Sequence, residues 1–124
     1  TDAYNMADAG PADVNVAEIH DCFTVMGAIG TEVIGKAEYG KGARYWADGK
    51  ADVHGECGIN TSGGLIAKGH PVGATGVAMI GWSAWQLLGK APAELQIPNP
   101  KLAATFNIGG PICASVCTVL KRAE

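Results

Sequence analysis

An α/β fold, with a mixed β-sheet layered with helices and one helix buried, is what this 124-residue sequence predicts. Three observations predict it. Short runs of strand character alternate with longer stretches of helical periodicity. Glycine-rich turns follow the strand-like runs, where α/β proteins place their ligand crevices. Hydrophobic residues make up 48% of the chain and charged ones only 17%. That suffices for one packed core in a chain of single-domain length, and it leaves apolar surface to meet another domain or subunit.

In chain order, residues 2–9 (DAYNMADA) read as the end of a helix, stopped by Gly10-Pro11. Residues 14–20 alternate apolar and polar positions, a strand anchored by Val14, Val16 and Ile19. Asp21 can cap the helix after it. Phe23, Met26, Gly30 and Val33 fall at helical spacing and predict an amphipathic helix over 22–34. Gly27 and Gly30 lower its intrinsic stability, so tertiary packing must supply the rest. Residues 35–58 are polar and glycine-rich, a long excursion with room for a short helix. A short strand fits 58–61. Residues 73–89 form a helix that is apolar nearly all round, which predicts burial on most sides, with Gly89 as its stop. After a connector at 92–100 come two strands, 102–108 and 112–120. The Gly-Gly-Pro between them predicts an antiparallel pair.

Three segments can carry chemistry. In the stretch Asn60-Thr-Ser-Gly-Gly-Leu-Ile-Ala-Lys-Gly-His-Pro-Val-Gly-Ala-Thr-Gly76, a glycine-rich loop delivers His70 to the mouth of a helix, and Pro71 suits the first turn. The positive end of the helix dipole disfavours a protonated imidazole, which suits a general base. His20-Asp21-Cys22-Phe23 lies at a strand–helix junction, with Cys22 expected in the first helical turn, where a thiolate is stabilised. Asn107-Ile-Gly-Gly-Pro111 is a strand-end turn whose amides can converge on an oxyanion. Each has a plainer alternative: a capping histidine, a small core cysteine and an ordinary hairpin.

Other functions fit less well. The net charge of −3 and the lack of a basic run argue against nucleic acid. The best apolar run, 77–88, is too short to span a bilayer. Gly64 to Gly69 has the glycine spacing of a phosphate-binding loop, but His70-Pro71 stands where Lys-Ser/Thr is required. Gly69, Gly73 and Gly76 do not match the dinucleotide fingerprint. His54-x-x-Cys57 lacks a second ligand pair, so no metal is expected. The four cysteines form no CxxC, which favours reduced thiols and a cytoplasmic setting. The chain opens at Thr1 without an initiator methionine or signal peptide, so it is expected to be a piece of a longer protein.

Taken together, Gly69-His70-Pro71-x-Gly-Ala-Thr-Gly76, the strand–helix junction and the last glycine turn resemble the C-terminal domain of thiolases, from about Ala3 to Leu120. His20-Asp21-Cys22-Phe23 resembles the sterol-carrier-protein-type and archaeal-type members, which bear these residues in place of Asn-Glu-Ala-Phe. Asn107-Ile108-Gly109 stands where most thiolases have Cys-x-Gly.

The resemblance implies a thiolase-like fold over 1–124, with the N-terminal domain and its nucleophilic cysteine absent. It implies that His70 is the base activating that cysteine and that Cys22 replaces the acid/base cysteine. His20 would hold a catalytic water, and the Gly109 N–H would serve a second oxyanion hole. Phe23 would line the pantetheine tunnel, with Ser62, Gly63 and Gly64 also meeting coenzyme A. Implied partners are the N-terminal thiolase domain, an acyl-CoA substrate and further copies of the full-length enzyme, with no permanently bound cofactor. Lys36, Lys41, Arg44 and Lys50 are candidates for the coenzyme's phosphates, with plain surface charge as the alternative. The other reading is a thiolase-like acyl-CoA-binding or aldolase-type subunit. A purely structural module would need His70 buried.

Overall fold

The structure, a computed structural model, describes residues 2–110 and 113–123. Its centre is a four-stranded sheet of β1 (Val16–Ile19), β2 (Gly58–Ile59), β3 (Leu102–Gly109) and β4 (Ala114–Lys121), in the spatial order β2-β1-β3-β4. β1 runs parallel to both neighbours, with Val16 opposite Gly58 on one side and Ala103 on the other. β3 and β4 pair antiparallel from Leu102↔Lys121 to Gly109↔Ala114. The sheet is therefore mixed, as the sequence predicts. The predicted strand start at Ile112 lies outside the described residues, and β4 begins at Ala114.

All four residues of β1 are buried, as a strand covered on both faces must be. Side chains alternate between the two faces. Ala17 and Ile19 join Leu102, Ala104 and Phe106 in one core cluster, and Val16 joins Ala103, Leu87 and Ile97 in the other. The helices are α1 (Asp2–Met6), α2 (Thr24–Val33), α3 (Gly42–Ala47), α4 (Gly64–Lys68) and α5 (Thr75–Leu87). α5 packs on β1, β3 and β4; α2 packs on β1 and α3, and α1 on β4. Among the described residues no helix is long and apolar enough to cross a membrane.

Two helices differ from expectation. α5 starts at Thr75, so Pro71 lies in the turn before it, accepting hydrogen bonds from the Ala74 and Thr75 amides. This helix, expected to be buried on most sides, is covered on one. Thr75, Met79, Ser83, Gln86 and Leu87 are buried, while Val77, Ile80, Trp85 and Leu88 are exposed. A helix apolar all round needs two layers to cover it, and this chain supplies one. Gln86 is tolerated at 0% exposure because its amide is satisfied. Its Nε2 donates to Thr61 Oγ1 and Leu95 O, and its Oε1 accepts from Ile97 N and Gln96 Nε2.

α2 turns its small residues inward. Gly27, Gly30 and Thr31 are buried, and Val25, Ile29 and Val33 are exposed. A Cβ on Gly30 would lie 3.1 Å from Ile19 Cδ1, so glycine sets the helix–strand distance. Val33 and Phe23, expected on the core face, are therefore exposed. Cys113 and Cys117, expected inside a strand, are both exposed: Cys113 sits in a turn, and Cys117 lies on β4, where the chain covers little.

Candidate functional site

The three segments meet. His20 follows the last residue of β1 and its Nδ1 lies 2.8 Å from Asn107 Oδ1 near the end of β3. An amide oxygen can only accept, so His20 Nδ1 is the donor, and in the neutral ring the lone pair then lies on Nε2. The Ile108 amide, at 3.4 Å from the same nitrogen, is the longer and weaker contact. Asn107 is in turn packed against α5: a Cβ on Gly76 would come within 2.8 Å of its Nδ2. Only glycine there leaves room for the amide that orients His20.

His70 reaches the same place from the loop between α4 and α5. Its ring stands edge-on to that of His20, with centroids 4.9 Å apart and planes at 85°. Its Nδ1 lies 2.7 Å from Thr75 Oγ1, whose own proton goes to Pro71 O at 3.1 Å. A carbonyl cannot donate, so Thr75 accepts from His70 Nδ1, and in the neutral ring the lone pair then lies on Nε2. His70 is exposed, the opposite of what a purely structural role would require.

Cys22 is exposed and sits in a bend before α2, whose N-cap is Phe23 without a side-chain cap. It is thus outside the first helical turn in which the sequence places it. Asp21, expected to cap α2, caps a different helix: its Oδ1 accepts from Leu65 N at 2.7 Å, at the start of α4. The closeness leaves no space beside Gly64, where a Cβ would overlap the carboxylate and φ is +60°. Phe23 is 70% exposed. Gly109 ends β3 opposite Ala114 and is exposed. Cys57 is buried, and burial pushes its thiol up to about 12, which leaves almost no thiolate at neutral pH. Among the described residues no cluster of three His, Cys, Asp or Glu could hold a metal ion.

Ser62, Gly63 and Gly64 have their amides engaged within the chain. Ser62 N donates to Glu18 Oε1, Gly63 N to Asn60 O and Gly64 N to Ser62 Oγ. They shape the loop and the start of α4. Of the four basic residues in the excursion, Arg44 pairs with Asp48 at 2.8 Å and Lys50 with Glu56 at 3.3 Å. An apolar cavity of about 300 Å³ opens between α2, α3 and α4, lined by Thr24, Gly27, Ala28, Ala43, Trp46 and Ile66, with Asp21 at its edge.

Sequence reasoning missed the roles of three residues here. Thr75 and Asn107 set both histidine tautomers, yet a single threonine or asparagine in a glycine-rich segment carries no pattern. Glu18 had a signal: an acidic residue inside an otherwise apolar strand.

Residues 1–122 match the family described as Thiolase C-terminal domain-like. The chain belongs to that family. This thiolase C-terminal domain is 42% identical over 108 residues to an acetyl-CoA acetyltransferase of Methanothermobacter thermautotrophicus, covering 87% of the chain and 28% of that protein. It is 42% identical over 106 residues to sterol carrier protein 2 of Rattus norvegicus, covering 86% of the chain and 19% of that protein. It is 36% identical over 107 residues to the benzoylsuccinyl-CoA thiolase subunit BbsB of Thauera aromatica, covering 86% and 28%. Among solved structures, the Ltp2-ChsH2(DUF35) aldolase superposes with a TM-score of 0.83 at 21% identity, over 97% of this chain and 30% of that one. That likeness establishes the shared fold. The thiolase C-terminal domain thus spans less than a third of the length of each of these relatives.

Proposed function

We propose that this domain supplies one half of the active site of an acyl-CoA thiolase, an acetyl-CoA C-acyltransferase acting on 3-ketoacyl-CoA. The observation that carries the reading is the His20–His70 pair, held edge to face by Asn107 and Thr75, each of which engages an Nδ1 and so turns the lone pair of a neutral ring to Nε2. Two acceptor nitrogens on converging loops suit one group that takes a proton from a thiol and another that holds a water.

In thiolysis, a cysteine thiol from the N-terminal half gives its proton to His70 Nε2, and its thiolate attacks the 3-keto carbon. His70, now with a proton on Nε2, donates to the thioester oxygen, together with a water accepted by His20. The C2–C3 bond breaks, and the acetyl-CoA enolate takes the Cys22 proton. The Cys22 thiolate then removes the proton of the incoming coenzyme A thiol, which attacks the acylated cysteine, and the departing cysteine thiolate takes its proton back from His70 Nε2. The Gly109 N–H contributes to the second oxyanion hole. Phe23 and the neighbouring apolar cavity border the pantetheine arm.

The exposed stripe Val77, Ile80, Trp85 and Leu88 on α5 supports a partner layer. We assign it to the N-terminal thiolase domain, in a homo-oligomeric enzyme of the cytoplasm that takes coenzyme A as substrate. The expected result is that the protein carrying both halves converts acetoacetyl-CoA and coenzyme A into two acetyl-CoA, read as loss of enolate absorbance. Cleavage that proceeds without coenzyme A would instead favour the aldolase-type reading, and no cleavage of any 3-ketoacyl-CoA would remove the catalytic one.

A further inference from the structure

Glu18 is 1% exposed in the middle of β1, where its neighbours Val16, Ala17 and Ile19 are apolar. Its carboxylate accepts from Ser62 Oγ at 2.6 Å and pairs with Lys68 Nζ at 3.4 Å. Lys68 Nζ also donates to Ser62 Oγ. Burial pushes the Glu18 carboxyl above the usual carboxylate range, against the pull of Ser62 and Lys68. A buried ion pair is a poor device for stability alone, because an apolar pair of like volume usually serves as well. The cluster is no hydrolytic dyad either. Ser62 Oγ donates to the buried carboxylate while Lys68 Nζ donates to that same Oγ, so the hydroxyl is tied into the cluster.

The spacing is informative. Glu18 lies on β1 and His20 directly follows the strand, still bonded through its amide to Phe106 O, so the two are spaced to share one face. Lys68 and His70 are two residues apart at the exit of α4. The Glu18–Lys68 ion pair and the His20–His70 ring contact are therefore successive rungs between the same two segments. Besides the hydrogen bonds that tie His70 and Pro71 to Ala74 and Thr75, little else holds the His70 segment at that point. Residues 66–74 are all exposed, and a Cβ on Gly69 or Gly73 would meet nothing within 4 Å.

We propose that Glu18 and Lys68 are positioning residues: the ion pair is a strut that fixes the α4 exit against β1 and so sets His70 at its working distance from His20. The proposal rests on the thiolase reading for its kinetic test and on geometry alone for its spectroscopic one.

The test uses the protein carrying both halves. Lys68 is suitable to change because its side chain is 29% exposed. In Lys68→Met, kcat for acetoacetyl-CoA thiolysis should fall about tenfold with KM nearly unchanged, since a misplaced base costs rate and not affinity. Lys68→Arg should restore most of the loss. In a His70→Ala background, Lys68→Met should change the residual rate by less than about twofold, because the strut acts through His70. An equal fall in both backgrounds, or an unchanged kcat beside normal His70, overturns the proposal.

Independently of turnover, with histidine ¹³C labels, the ring signals of His70 and His20 should shift in Lys68→Met while that of exposed His54 stays. Unmoved His70 and His20 signals overturn the strut. Should His70→Ala itself leave thiolysis intact, the thiolase reading fails, and the ring signals still decide the strut.

Discussion

Replacing His70 by alanine in the full-length protein is expected to lower thiolysis of acetoacetyl-CoA by about four orders of magnitude, the upper end of what one positioned base contributes. That corresponds to about 5.5 kcal/mol of transition-state stabilisation. Two losses combine. The nucleophile loses the Nε2 lone pair that Thr75 secures by holding the Nδ1 proton. The thioester oxygen loses the donor which that nitrogen becomes once it has taken a proton. The ring's removal should cost little stability, because His70 lies on an exposed loop. A full-length variant with a normal melting temperature and near-normal turnover would sink the role assigned to His70.

The second large effect concerns Cys22. Its alanine variant should exchange the methyl protons of acetyl-CoA into deuterated water about a thousandfold more slowly, measured by proton NMR, within the range of general acid/base catalysis. The exposed bend before α2 leaves the Cys22 thiol accessible, whereas the buried Cys57 thiol is not. Asn107 cannot exchange a proton, and its amide is committed to His20. Acylation of the nucleophile should survive in Cys22→Ala, since the proposed mechanism assigns that step to His70. Undiminished exchange would exclude Cys22 as the acid/base group.

Much of the fold was legible in the residues. The strands were, because β1 and β3 are apolar runs ending in polar or glycine turns, and the Gly-Gly-Pro turn predicted the antiparallel partner correctly. The meeting of His20 and Asn107 followed from two parallel neighbouring strands whose C-terminal ends lie side by side, with His70 brought to them by the loop between α4 and α5. Other features were hidden for physical reasons. Asp21 stands in the position of an N-cap for α2, yet α4 lies closer in space, and capping is decided by which amide is in reach. α4 itself is a single turn rich in glycine, with too few residues to show a period. The apolar pattern of α5 announced burial, and burial on its second side needs a layer this chain does not hold. Phe23 and Val33 had the spacing of a core face and turned outward, because three small residues of α2 pack more closely on β1 and α3 than branched ones could.

The division of labour between the two halves can be tested by trapping the acyl-enzyme. The full-length protein is mixed with acetyl-CoA, quenched in acid, digested and searched for the acetyl group by mass spectrometry. The expected result is a thioester on a cysteine outside these 124 residues, formed in Cys22→Ala as well and lost in His70→Ala. An acetyl group on Cys22 would contradict its assignment as proton shuttle and make this chain the bearer of the nucleophile.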